Sequence, residues 1–143
     1  MSLFYVDASA VVKTVLDEEG TDAVRAYLAG AQLASSELLL TEVPRALRRA
    51  AAENPALSLE SLLQRAAEQI DLVSLRPVDD ALLIGAGLLA EPVLRSLDAI
   101  HVVTALDAYP IDAFVSYDER QAAVARLVGL RTMAPGVSSQ APL

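Results

Sequence analysis

The chain contains no cysteine and no tryptophan. Without cysteine there is no disulfide framework, no thiolate metal centre and no cysteine nucleophile. Bases are scarce as well: 11 against 19 acids, a net charge of −8, and only one lysine, Lys13. That balance argues against a broad basic footprint of the kind that binds duplex DNA or an anionic membrane. It leaves room for a local metal site built from carboxylates. Long apolar runs are also missing. The most apolar stretch, at 81–90, is about half of the roughly 20 residues a spanning helix needs, and Gly85 and Gly87 interrupt it. The N-terminus has no basic region and soon meets Asp7, which does not read as a signal peptide. A soluble, cytoplasmic chain with no membrane partner is the expectation.

What is present is apolar: 54% of the 143 residues are hydrophobic. This is too rich for disorder and of a size to bury one substantial core. The expected organisation is a single domain over 1–134, followed by a flexible tail at 135–143.

Short apolar runs at 3–6, 32–35, 71–75, 113–116 and 130–133 read as strands. Helical spacing separates them. Ser9 is the expected cap of a helix to about 16, and Gly20-Thr21-Asp22 opens a second that Gly30 closes. Ser36 is the expected cap of a third, to about 53, with Pro44 kinking it. Further helices are expected at 58–69, 79–90, 96–108 and 119–128, with Ser96 capping the sixth. Strands alternating with helices predict an α/β fold, a three-layer sandwich around a central parallel five-stranded sheet. In such sheets ligands gather beyond the carboxyl ends of the strands, where the strand order changes direction.

Two acids stand in that region. Asp7 directly follows the first strand and Asp118 closely follows the fourth. Each could instead cap the helix after it. Two more acids lie inside apolar helical segments: Glu42 within Leu39-Leu40-Thr41-Glu42-Val43, and Asp98 within Leu97-Asp98-Ala99-Ile100. Asp98 in a first helical turn also complements the helix dipole, and a solvated face could hold Glu42. If the four converge they cannot all ionise uncompensated. Mg²⁺ or Mn²⁺ takes carboxylate oxygens, keeps waters and suits phosphate chemistry.

At these residues the sequence resembles the PIN-domain ribonucleases, and within them the VapC-type toxins of bacterial toxin–antitoxin pairs. Tyr5-Val6-Asp7-Ala8-Ser9 is similar to the family's opening strand with its first acid. The segment from Ser35 to Leu47 carries the second acid, at Glu42. Leu97-Asp98-Ala99-Ile100-His101-Val102-Val103-Thr104-Ala105-Leu106 is the most specific match and carries the third, and Ser116-Tyr117-Asp118 carries the fourth. The resemblance covers nearly the whole chain. It implies Mg²⁺- or Mn²⁺-dependent endonucleolytic cleavage of RNA, a homodimer, and a VapB-type antitoxin whose C-terminal part covers the active site.

Around the four acids, Ser9 and Ser116 are candidate supports, with Ser9 either orienting Asp7 or acting as a plain cap. Lys13, Arg45 and Arg49 are candidate contacts for the RNA backbone, against a reading as solvated surface. His101 invites a general-base role, but a half-buried polar residue is the plainer reading. Apolar surplus on an exposed helix would suit a dimer seam or an antitoxin groove. Two other acidic Mg²⁺-binding classes fit less well. A receiver domain expects paired acids after the first strand and a lysine after the last, and a haloacid-dehalogenase-like phosphatase expects Asp-x-Asp. Here Asp7-Ala8-Ser9 follows the first strand and no lysine follows Lys13. A degenerate PIN-like module that binds without turnover is the remaining alternative.

Overall fold

A computed structural model of the chain describes residues 1–137. Its elements are β1 (Leu3–Val6), α1 (Ala8–Val15), α2 (Thr21–Leu28), β2 (Gln32–Ser36), α3 (Leu39–Glu53) and α4 (Leu59–Asp71). They continue as β3 (Val73–Arg76), α5 (Asp80–Gly87), α6 (Ser96–Asp107), β4 (Ala113–Val115), α7 (Glu119–Leu127) and β5 (Thr132–Met133). The five strands form one sheet in the order β3-β2-β1-β4-β5. All pairings are parallel, with Phe4 of β1 opposite both Leu33 and Ala113. The chain winds outward from β1 to β3, then returns to the other side of β1 with β4. The strand order therefore reverses between β1 and β4, and Asp7 and Ser116 leave the sheet at that point.

Alternation along β1 and β4 sends side chains to both faces. Phe4, Val6, Ala113 and Val115 join Val11, Val15, Leu39, Val43, Leu47 and Leu62 in the larger core, under α1, α3 and α4. Tyr5 and Phe114 point the other way, against Ala105 of α6 and Ala125 of α7. This is the expected three-layer sandwich. Helix α6 packs against both α5 and α7, which explains why six of its residues, His101 among them, are buried.

Several boundaries differ from the sequence reading. Ser9 does not cap α1; Asp7 does, its carboxylate accepting from the Ala10 N–H. Ser36 remains in β2, opposite Arg76, so α3 begins later, at Leu39. Strand β3 starts at Val73 rather than 71, because burial of Ile70 carries α4 through to Asp71. Ser96 is the first residue of α6 and Arg95 is its cap, without a side-chain bond. Pro44 does lie inside α3, where it removes the bond that would run to the carbonyl of exposed Leu40.

Of the expected tail, residues 138–143 lie outside the described residues. Pro135 and Gly136 lie against the body of the domain. The Pro135 carbonyl accepts the Tyr117 hydroxyl. Gly136 has φ +84° and sits so near Gly20 that a Cβ there would come within 2.7 Å of the Gly20 Cα, so only glycine fits.

Candidate active site

The site starts from Asp7. Its side chain is 2% exposed, and an ionised carboxylate so deep needs several donors. Three are supplied. Oδ1 accepts from the Ser9 hydroxyl at 2.6 Å and the Ala10 N–H at 3.0 Å, and Oδ2 accepts from the Ser116 hydroxyl at 2.5 Å. Each serine is fixed in turn: Ser9 Oγ accepts from the Tyr117 N–H, and Ser116 Oγ accepts from the Asp118 N–H. Burial holds the Asp7 pKa above the usual carboxylate range, and the Ser116 and Ser9 hydrogen bonds bring it part of the way back. A carboxylate has about four lone-pair positions. With three used, one on Oδ2 is left for a further ligand.

Glu42 enters from the first turn of α3 and is half-buried. Its Oε1 pairs with His101 Nε2 at 2.5 Å. His101 Nδ1 pairs with the Tyr5 hydroxyl at 2.7 Å. Tyr5 is fully buried, and that burial raises its pKa far above the phenolic range. The reading of His101 as half-buried is corrected, since it is 1% exposed. Tyr5 was not a candidate at all. The available signal was a hydroxyl-bearing residue in an otherwise apolar buried strand, which requires an internal partner.

Asp98, in the first turn of α6, is half-buried. Its pKa is raised by burial first and by the charge of Asp118 next, while Glu42 and Asp7 add to the repulsion and His101 opposes it. Gln121 of α7 donates to the Asp98 carbonyl and ties the two helices together beside the site. Asp118 is exposed and caps α7, with Oδ1 accepting from the Arg120 and Gln121 N–H groups. Asp7 and Asp118 therefore cap their helices and also stand at the switch point; one role does not exclude the other.

A cleft of about 590 Å³ opens beside Glu42, lined among others by Ser9, Lys13, Arg45, Arg49 and Tyr117; Asp7, Asp98 and Asp118 are not part of its lining. Arg45 and Arg49 are exposed on α3 and make no ion pair among the described residues. Lys13 is already engaged: it pairs with Glu18 at 2.8 Å and stands 4.9 Å from the centre of the Tyr117 ring. Burial pushes the Tyr117 hydroxyl up to about 12.

The donor set suits a hard divalent cation, being all oxygen, with an acid at its centre that three others repel. As the side chains are oriented, no group of three His, Asp or Glu among the described residues forms a metal-holding cluster. Glu42 Oε1 is turned to His101 and Asp118 Oδ1 to backbone N–H groups, which leaves the second oxygen of each free of hydrogen bonds among the described residues.

Comparison with known proteins gives a consistent result. A family model described as the PIN domain matches residues 4–127. Ribonuclease VapC46 of Mycobacterium tuberculosis (strain ATCC 25618 / H37Rv) is 35% identical over 137 residues, spanning 94% of this chain and 99% of that protein. Ribonuclease VapC35 of the same strain is 33% identical over 141 residues, spanning 94% and 98%. Among solved structures, VapBC2 from Rickettsia felis, bound to a DNA fragment from its promoter, has a TM-score of 0.65 at 10% identity, over 93% of this chain and 98% of that one. The protein PAE2754 from Pyrobaculum aerophilum has a TM-score of 0.63 at 16% identity, over 92% and 83%. At such identities the two structures speak for the fold alone.

Proposed function

The chain belongs to the PIN-domain family, among its VapC-type ribonucleases, and we propose on this basis that it is the toxin of a toxin–antitoxin pair, an endoribonuclease dependent on Mg²⁺ or Mn²⁺. The observation that supports the metal dependence is the all-oxygen donor set at the switch point, where Asp7 leaves β1 with a lone pair free on Oδ2 and Glu42 keeps Oε2 without a hydrogen bond among the described residues. A chain of net charge −8 that acts on a polyanion needs positive charge where the two meet. A divalent ion among these acids provides it.

Asp7, Glu42, Asp98 and Asp118 would hold one or two ions, directly or through water. Such an ion supplies charge neutralisation at the phosphodiester and an acidified water. Ser9 and Ser116 keep Asp7 ionised and aimed. Arg45 and Arg49 line the cleft as planar, bidentate donors for RNA phosphates. Lys13 joins them only by leaving Glu18. In-line displacement by water leaves a 5′-phosphate and a 3′-hydroxyl. Mapping the ends of cleaved RNA tests this directly, and a 2′,3′-cyclic phosphate would mean attack by the internal 2′-hydroxyl instead.

The cognate partner on this reading is a VapB-type antitoxin whose C-terminal part covers the active site and blocks RNA. A second copy of the chain is the other partner. Helix α5 and its C-cap expose Leu83, Ile84 and Leu88, and symmetric pairing of two chains of like net charge favours an uncharged seam.

A further inference from the structure

Glu42 is held in the site by a single side chain. His101, the only histidine, lies beneath it, 1% exposed. An ionised carboxylate offers lone pairs and no proton, so Nε2 carries the hydrogen and donates to Glu42 Oε1. In the neutral ring Nδ1 then accepts from the Tyr5 hydroxyl. Both rings are fixed by packing: His101 stands edge-on to Tyr5 with centroids 5.9 Å apart, and Tyr5 stacks on Phe114 at 5.1 Å. A continuous chain of bonds thus runs from β1 through α6 to α3 and ends on one oxygen of Glu42. Oε2 makes no hydrogen bond among the described residues.

We propose that His101 is a positioning residue for the divalent ion, fixing Glu42 by Oε1 and leaving Oε2 free to bind it. This rests on the metal-dependent reading above. A loose glutamate gives up its rotamer freedom when it captures an ion, whereas one already held gives up less. Groups that orient a metal's ligands in this way change affinity without touching the metal.

The test measures Mn²⁺ binding to the full chain by the EPR signal of the free ion, with no substrate present. His101→Met keeps the volume and removes the donor. His101→Gln keeps an N–H near the place of Nε2. The expected result is about a 10–100-fold weaker affinity for His101→Met, most of it recovered in His101→Gln. In a Glu42→Gln background the same two changes have no further effect. Unchanged affinity in His101→Met, equal loss in both variants, or a loss that persists undiminished without Glu42 would overturn the proposal. If His101→Met does not fold, Tyr5→Phe keeps the ring packing and releases Nδ1. It is expected to weaken Mn²⁺ binding by a smaller factor, and unchanged affinity there overturns the role equally. A wild-type chain that cleaves RNA in chelator and binds no Mn²⁺ overturns the metal-dependent reading itself, an outcome distinct from the others.

Discussion

Ser116→Ala isolates the clamp on Asp7. The change removes the only hydrogen bond that the described residues give to Oδ2 of a carboxylate that is 2% exposed. A hydrogen bond to a buried charged group contributes about 1.5–3 kcal/mol. With an unfolding entropy of about 2.1 cal/mol/K per residue over 143 residues, each kcal/mol moves the midpoint by about 3 °C, so a fall of about 5–10 °C is expected near neutral pH. The pH dependence is more diagnostic than the size. Burial raises the folded pKa of Asp7 above its unfolded value of 3.8. The folded state therefore binds the proton more tightly, and stability falls as pH rises through the window between the two values. Ser116 acts against that rise, so its removal lifts the folded pKa further and extends the window upward. The difference between wild type and Ser116→Ala should be small where Asp7 is protonated, grow through the window, and level off above the folded pKa of the variant. Thermal melts of both proteins in chelator across pH give this difference directly, and titrations common to both cancel. A difference of constant size at every pH would refute the reasoning, leaving only the lost bond from the Asp118 N–H.

Asp98→Asn removes the charge on which repulsion converges, so it should raise the melting midpoint in chelator at neutral pH, abolish the further rise that Mn²⁺ gives the wild type, and end RNA cleavage. The same sign rule makes its stabilising effect shrink as pH falls to where Asp98 is protonated. Arg49→Ala should weaken single-stranded RNA binding, measured with a non-cleavable analogue, and lower the slope of log affinity against log salt by about 0.7; an unchanged slope means that Arg49 does not meet a phosphate. Leu88, the C-cap of α5, is 79% exposed, and Leu88→Glu would set like charges across a symmetric seam. Sedimentation should find the wild type dimeric and the variant monomeric, and a variant that stays dimeric moves the seam elsewhere.

The order of elements was legible because each strand is a short apolar run and each helix carries its own period, both local properties of the chain. Boundaries slipped where tertiary contacts decided them. Ser36 has the chemistry of a helix cap but pairs with Arg76 in the sheet, and α4 runs on because Ile70 has a place in the core. The four acids could be selected because each sits at a strand end or within an apolar helical segment, where solubility alone explains a carboxylate poorly. Ser9 and Ser116 were legible as supports of the site and both bond Asp7, but the partners of Glu42 and His101 were hidden. Ser116 meets Asp7 across 109 residues and His101 meets Tyr5 across 96, and such pairings are set by how β1, β4 and α6 assemble rather than by spacing. Between the two readings open for Asp7 and Ser9, the fold makes aspartate the cap and serine its support.

Most directly at stake is whether Asp7, Glu42, Asp98 and Asp118 act on RNA through a divalent ion. The direct measurement incubates the purified chain with RNA in Mg²⁺, in EDTA, and in EDTA followed by excess Mn²⁺, alongside Asp7→Asn and Asp98→Asn. The account predicts cleavage in Mg²⁺, none in EDTA, recovery with Mn²⁺, and no cleavage by either variant under any condition. Cleavage that proceeds equally in EDTA, or that survives both substitutions, would contradict it.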